Sequence, residues 1–323
     1  MNVDEHIELF LESFSDAIES WFSCDIACCD RCYDEFLAIW PHAYEADDAE
    51  FQRSLIDLDM FYEGSRLAKF YSKEEFDQFK QYIRCPRCGK QLGPYMWPYD
   101  FPFDIDYSIE QDIKEIAQLA KSTPFLLLTH EYSRRVYEIV NTVASTLKPT
   151  TFNEPLYRAR KSPVECERSS FDRPPRHLVK EGRYNHAGNA VLYLASDTET
   201  CFEEIQRKPC IVAEIEIKCS LTVLDLLNPS DSHNKYSDDL HSLTYSALMS
   251  AKQSDDGWHK PAFVFSRFVG DCVRASGIQA IRYPSTRITK QNFNLAIVDP
   301  EVTFDTHAEV TQFINMGGIT EEF

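Results

Sequence analysis

Apolar residues near the start of the chain recur at three- and four-residue steps: Ile7, Phe10, Leu11, Phe14, Ile18 and Phe22. That spacing stacks them on one face of an α-helix and predicts a helix over 5–22. Shorter runs of the same period predict helices around Asp34–Trp40 and Glu50–Lys69. Ser72-Lys-Glu-Glu75 is a capping box, in which a side-chain oxygen and a carboxylate satisfy the first free N–H groups, and it opens a helix to about Ile83. Gly93–Phe103, rich in Pro and aromatic residues, reads as a loop or extended arm. Helical periodicity resumes from Ile109 to about Leu147, broken near Pro124 because proline cannot donate to the ladder.

The pattern changes at Lys148-Pro-Thr-Thr-Phe-Asn-Glu-Pro155, which we take as a domain boundary, giving domains 1–150 and 151–323. Beyond it, Ala190–Ala195, Cys210–Ile217, Leu221–Leu226 and Gln279–Tyr283 have strand character, the second with period-two alternation. Helices fit Ser196–Lys208, Asp239–Lys252 and Ala262–Ser276, the first opening on a second capping-box pattern, Ser196-x-x-Glu199. The expected class is α+β, a helical first domain followed by a mixed α/β domain.

Composition sharpens this picture. The chain has 323 residues, 13% of them aromatic, enough to supply a core in each of two domains. The net charge is −19, which argues against nucleic acid as the partner, because such binding neutralises phosphates with Lys and Arg. The sign reverses locally: Leu156–His186 holds eight Lys/Arg, including Arg158, Arg160, Arg173 and Arg183, against four carboxylates. A basic patch within an acidic chain suits a small anion. The acidic N-terminus does not resemble a signal peptide, and the apolar run Phe125–Leu128 is too short to span a bilayer. Eleven cysteines without a leader point to a reducing cytoplasm and to thiols or metal ligands rather than disulfides.

The cysteines carry a pattern of their own. Cys29-x-x-Cys32 and Cys85-x-x-Cys88 are two knuckles, each able to offer two thiolates from one bend, and together they predict a structural zinc site. Cys24 or Cys28 could replace Cys29 in it. Arg84, Arg87 and Lys90 flank the second pair and would favour ionised thiols. Four thiolates leave no open position, so the zinc would be structural rather than catalytic.

Three stretches of the second domain bear other chemistry. Leu156-Tyr-Arg-Ala-Arg160 sets two arginines beside the boundary. Gly182-Arg-Tyr-Asn-His-Ala-Gly188 is a glycine-bracketed loop holding Arg183 and Asn185, followed by the strand with Tyr193 and a helix with Glu199-Thr-Cys-Phe-Glu-Glu-Ile205. Ile281-Arg-Tyr-Pro-Ser285 and Asn292-Phe-Asn-Leu-Ala296 complete the set. Arginines of this kind can clamp phosphate oxygens. On a helical wheel at about 100° per residue, Glu204 lies roughly 105° from the apolar stripe and Glu203 roughly 155°. Glu204 can therefore flank a cleft, while Glu203 points to water.

Taken in order, these motifs resemble the RES domain over Leu156–Asp299. The resemblance implies a fold like that of ADP-ribosyltransferases and an NAD+-depleting activity that releases nicotinamide by phosphorolysis, with inorganic phosphate as co-substrate, or by hydrolysis. By the family's motifs Arg158, Glu204, Ser285 and Tyr193 are the catalytic candidates, and Arg160, Arg183 and Asn185 the candidates for binding NAD+. It also implies a toxin or defence effector with an antitoxin or regulatory protein as partner. The first half resembles, more loosely, the helical HEPN-type region found ahead of some RES domains, though the Arg/His signature of a HEPN ribonuclease is missing. Two other functions fit the same residues: ADP-ribosyl transfer to a macromolecule, and nucleotide binding without turnover in an interaction protein.

Overall fold

The computed structural model describes residues 3–39, 54–86, 88–99, 108–236, 239–244, 263–285 and 292–317. Trp40, residues 50–53, Arg87, the arm beyond Tyr99, residues 245–252 and Ala262, all named above, lie outside these. The chain divides into two compact units, Met1–Pro102 and Phe103–Phe323.

In the first unit the expected amphipathic helix spans Val3–Phe22. It buries Phe10, Phe14 and Ile18, with the Phe10 ring 6.1 Å from Phe76 and the Phe14 ring 5.5 Å from Phe61. The capping box at Ser72 is formed in full and opens the helix Lys73–Phe79. The helix expected up to Lys69 is instead two short pieces, Leu58–Gly64 and Leu67–Phe70, separated at Ser65 by an extended backbone.

This half is not purely helical. A three-stranded antiparallel sheet runs in the order β1 (Asp25–Cys29), β3 (Tyr95–Tyr99), β2 (Ile56–Asp57). The arm with Pro98 is therefore its central strand. Proline is tolerated there because β2 pairs only with Tyr95 and Met96, leaving Pro98 beyond its end and paired on the β1 side alone.

The second unit is built on a seven-stranded sheet in the order β10-β6-β4-β5-β9-β8-β7. These are β4 (Leu156–Lys161), β5 (Leu192–Ala195), β6 (Cys210–Ile217), β7 (Val223–Asp225), β8 (Ala280–Pro284), β9 (Phe293–Ile297) and β10 (Ala308–Met316). Pairing is antiparallel except between β7 and β8. Alternate residues of β7, β8 and β9 feed two cores. Leu224, Ile281 and Ala296 enter one, and Val223, Ala280, Leu295 and Ile297 the other. The first core is covered by the helices Ser108–Ser122, Glu131–Ala144 and Val264–Ala275, which contribute Ile116, Val136, Val140, Phe265 and Val273. The first two lie before residue 150, so the compact unit starts well ahead of the boundary read from the sequence. Pro124 does separate them, opening a 3₁₀ stretch over Pro124–Thr129.

One seam of the sheet is nearly open. β4 pairs with β6 along its whole length, but meets β5 only at Tyr157 and Ala195. The candidate site forms where these two strands part.

Candidate active site

Tyr157, Arg158, Arg160, Gly182, Arg183, Tyr193, Glu204, Phe263, Tyr283 and Asn294 line a cleft of about 380 Å³. That volume falls in the range of small-ligand pockets. Residues from all three chemistry-bearing stretches meet in its lining, and Ser285 of the third bonds to Glu204.

Arg158 is 6% exposed. Its Nη1 donates to the Tyr193 carbonyl at 2.8 Å, and its Nη2 lies 3.5 Å from the Asp172 carbonyl. The guanidinium thus spans the seam between β4 and β5. Its Nε has no hydrogen-bond partner among the described residues. Burial, with Arg160 nearby, lowers its pKa to about 9, so it stays cationic at neutral pH. Arg160 holds the following loop, its Nε donating to Ser170 O at 3.0 Å and its Nη2 to Asp172 O at 2.9 Å.

The basic patch resolves into two kinds of arginine. Arg173 donates to the carbonyls of Val302, Ile297 and Asp299, and Arg176 to that of Gly188. These tie loops to the domain by capping backbone acceptors. Arg158, Arg160 and Arg183 instead line the cleft.

The loop with Arg183 is a tight turn closed by a backbone bridge between Gly182 and Asn185. A Cβ at Gly182 would come within 2.3 Å of Asn185 Oδ1, so glycine is required there by packing. Asn185 is 3% exposed. Its Nδ2 donates to Lys180 O and His186 O, both at 2.9 Å, and its Oδ1 accepts from the Tyr193 hydroxyl at 2.9 Å. That hydroxyl also accepts from the Tyr184 N–H at 3.0 Å. Tyr193 and Asn185, singled out as catalytic and NAD+-binding candidates, thus direct these groups at the loop. Burial pushes the Tyr193 phenol up to about 12, so it stays neutral and holds the loop at any physiological pH. Arg183 at the tip is seated over the rings of Phe263 and Tyr283, 5.5 and 5.6 Å from their centroids.

Glu204 ends the helix Thr198–Glu204. This helix stops earlier than its sequence pattern, because Gln206 and Arg207 take left-handed backbone conformations. Its cap also differs. Asp197 is the N-cap, accepting from Thr200 N, and Ser196 bonds to Asp197 instead of opening a capping box. Glu203 is paired with Arg207 on the surface. Glu204 faces the cleft, its Oε1 accepting from Asn294 Nδ2 at 2.9 Å and from Ser285 Oγ at 3.3 Å. Ser285 is fully buried and Asn294 is 6% exposed. Behind them Asn292 Nδ2 donates to Asp197 Oδ2 at 2.8 Å and Thr200 Oγ1 at 2.9 Å, locking the helix to β9. Asn294 lies within the segment Asn292–Ala296 but is not among the candidate site residues that the sequence marks. Its signal is a polar side chain two positions before Ala296, on the same buried face of the strand.

In the first unit Cys29, Cys32, Cys85 and Cys88 place their four sulfurs within 4.8 Å of one another, and this group does not include Cys24 or Cys28.

The cleft brings the Glu204 carboxylate together with Arg158, Arg160 and Arg183 in one lining. Residues 155–313 match the model of the RES domain. No curated protein matches the chain. Among solved structures, a chain of the crystal structure of the M. tuberculosis MbcT–MbcA toxin–antitoxin complex is similar over 55% of this chain and 91% of its own, at 14% identity and a TM-score of 0.36. No helix among the described residues is long and apolar enough to cross a membrane.

Proposed function

We propose that the RES domain degrades NAD+, cleaving the nicotinamide–ribose bond by phosphorolysis or hydrolysis. The observation that carries this reading is the Glu204 carboxylate, fixed by Asn294 and Ser285 in the lining of a cleft that also bears Arg158 and Arg183.

The bond to be broken joins C1″ of the ribose to a cationic pyridinium nitrogen. Its electron pair leaves with nicotinamide, which departs neutral, so no general acid is required. Positive charge develops on the ribose, and a carboxylate beside it stabilises that charge or bonds a ribose hydroxyl. Glu204 takes this role, its carboxylate held through Oε1 by Asn294 and Ser285. A phosphate oxygen then forms the new bond to C1″, giving ADP-ribose-1″-phosphate, or water does so with loss of a proton. The pyrophosphate and an incoming phosphate repel each other, and the charges of Arg158 and Arg183 offset this repulsion. Tyr193 and Asn185 serve by holding the Arg183 loop, and Arg160 by holding the loop at 170–172. The match to the RES domain supports a role as an NAD+-depleting toxin or defence effector, with an antitoxin or regulatory protein as partner.

The test is nicotinamide release from NAD+ by the purified protein, with and without inorganic phosphate. Phosphate-dependent release identifies a phosphorylase and phosphate-independent release a glycohydrolase. NAD+ binding with no nicotinamide released under either condition contradicts the proposal and favours a nucleotide-binding module.

A further inference from the structure

The cysteine cluster of the first unit carries an inference independent of the NAD+ chemistry. Cys29 ends β1, and Cys32 lies in the first turn of the helix Asp30–Ile39 that follows without a break. The other pair sits on a tight hairpin. There Leu92 N donates to Ile83 O at 2.8 Å, Cys85 N to Lys90 O at 2.9 Å and Gly89 N to Cys85 O at 2.8 Å. Gly89 adopts φ +67°, which a side chain would disfavour.

We infer that Cys29, Cys32, Cys85 and Cys88 form a tetrathiolate zinc centre that ties this hairpin to the strand–helix turn. A tetrahedron with Zn–S bonds of about 2.3 Å separates its sulfurs by roughly 3.8 Å. The separations are 3.6 Å for Cys29–Cys32, 3.9 Å for Cys29–Cys88 and 4.0 Å for Cys32–Cys85. None of the four is in a disulfide, and none of these distances approaches the ~2 Å of one. Three of the four are fully buried or nearly so. Packing that many thiols together brings lone pairs into contact with little in return, whereas a soft divalent cation draws them together.

The surroundings fit such a centre. The Cys29 N–H donates to Cys85 Sγ at 3.3 Å, an outer contact of the kind that stabilises a metal-bound thiolate. Arg31 Nη2 donates to Gln91 O at 2.6 Å, joining the same two segments beside a site whose four thiolates exceed the metal's charge by two. Four protein ligands fill the coordination sphere, so the centre holds structure and leaves no position for substrate. The geometry also selects Cys29 over Cys24 and Cys28.

The experiment is metal analysis of the full-length protein purified without chelator, followed by cobalt substitution. The expected result is one zinc per chain and, with cobalt, the visible bands of tetrahedral sulfur coordination. Protein with no zinc that takes up none on titration overturns the inference, and so does iron in place of zinc. Because Cys85→Ser could simply misfold, Cys24→Ser and Cys28→Ser provide the comparison. Both keep a full equivalent of zinc if Cys29 is the ligand; loss of zinc in either, with the fold intact by circular dichroism, overturns the ligand set. None of these readouts depends on NAD+ turnover.

Discussion

Glu203 and Glu204 are adjacent acids on one helix, and their fates differ because the helix turns by about 100° between them. Glu203 meets Arg207 in solvent, while Glu204 meets Asn294 and Ser285 at the cleft. Glu204→Gln should lower nicotinamide release by at least about 10²-fold, the scale for losing one preorganised electrostatic group, with an unchanged circular dichroism spectrum. Glu203→Gln should keep full activity, and a loss of similar size there would reverse the assignment. Asn294 orients the same carboxylate, so Asn294→Ala should reduce kcat by up to about 10²-fold with little change in KM, measured by steady-state kinetics. At this scale much was legible in the sequence: the wheel separated the two acids, and the motifs marked Arg158, Arg183 and Ser285. What the sequence hid was the partner of each group. The Tyr193 hydroxyl is taken up by Asn185 and by the Tyr184 N–H, and a backbone donor leaves no trace in side-chain patterns. Arg173 and Arg176 likewise belong to the anion-suited basic patch in the sequence, although they cap carbonyls in the structure.

The elements that hold the site press closely on one another. A Cβ on Gly270, in the helix Val264–Ala275, would come within 2.7 Å of the Tyr184 carbonyl in the Arg183 loop. Gly270→Ala should therefore cost about 1–3 kcal/mol, the usual cost of overpacking, seen as a lower Tm together with weaker NAD+ turnover. A second tie joins the parallel strands, where Arg282 of β8 donates through two nitrogens to Asp225 at the end of β7. Burial alone would raise the Asp225 carboxyl, but the bonds from Arg282 and Ser232 prevail and hold it below the usual carboxylate range. A depressed carboxylate stabilises the fold above its unfolded pKa of about 3.9, and that stability is lost as pH falls through the folded value. Thermal melts from pH 7 to pH 3 should show a steeper acid loss in the native protein than in an Asp225→Asn variant, and parallel curves would dismiss the pair as a pH-dependent tie. Elements with strict periodicity were legible: β6 occupies the segment read from its alternation, and the helix Val264–Ala275 lies within one or two residues of its pattern. β4 was missed because its inward position holds Arg158 rather than an apolar residue. β1 was missed because it is short and Cys-rich, and β3 because Pro98 argues against a central strand despite its aromatic residues; their pairing depends on residues some seventy positions apart.

For the whole molecule, the change of pattern near residue 150 and the match to the RES model from residue 155 both suggest a domain that starts there, while the compact unit starts at Phe103. The difference lies in the helices Ser108–Ser122 and Glu131–Ala144. Their periodicity resembles that of the preceding helices, so the sequence assigns them to the first domain. Their apolar faces nonetheless enter the core of the second, where Ile116, Val136, Val140 and Val143 are at most 2% exposed and cluster with Phe265, Phe268 and Val273. At about 1.5–3 kcal/mol for each buried aliphatic side chain, these four contribute roughly 6–12 kcal/mol, comparable to the whole net stability of an ordinary domain. A fragment beginning at Phe103 should therefore unfold cooperatively on heating and retain the NAD+ chemistry of the full chain. One beginning at Thr151 keeps every motif residue yet exposes the core that the two helices cover, and it should aggregate or bind a hydrophobic dye without a melting transition. Equal Tm values for the two fragments would show the helices to be an appendage; a melting transition confined to the longer one makes them part of the catalytic unit.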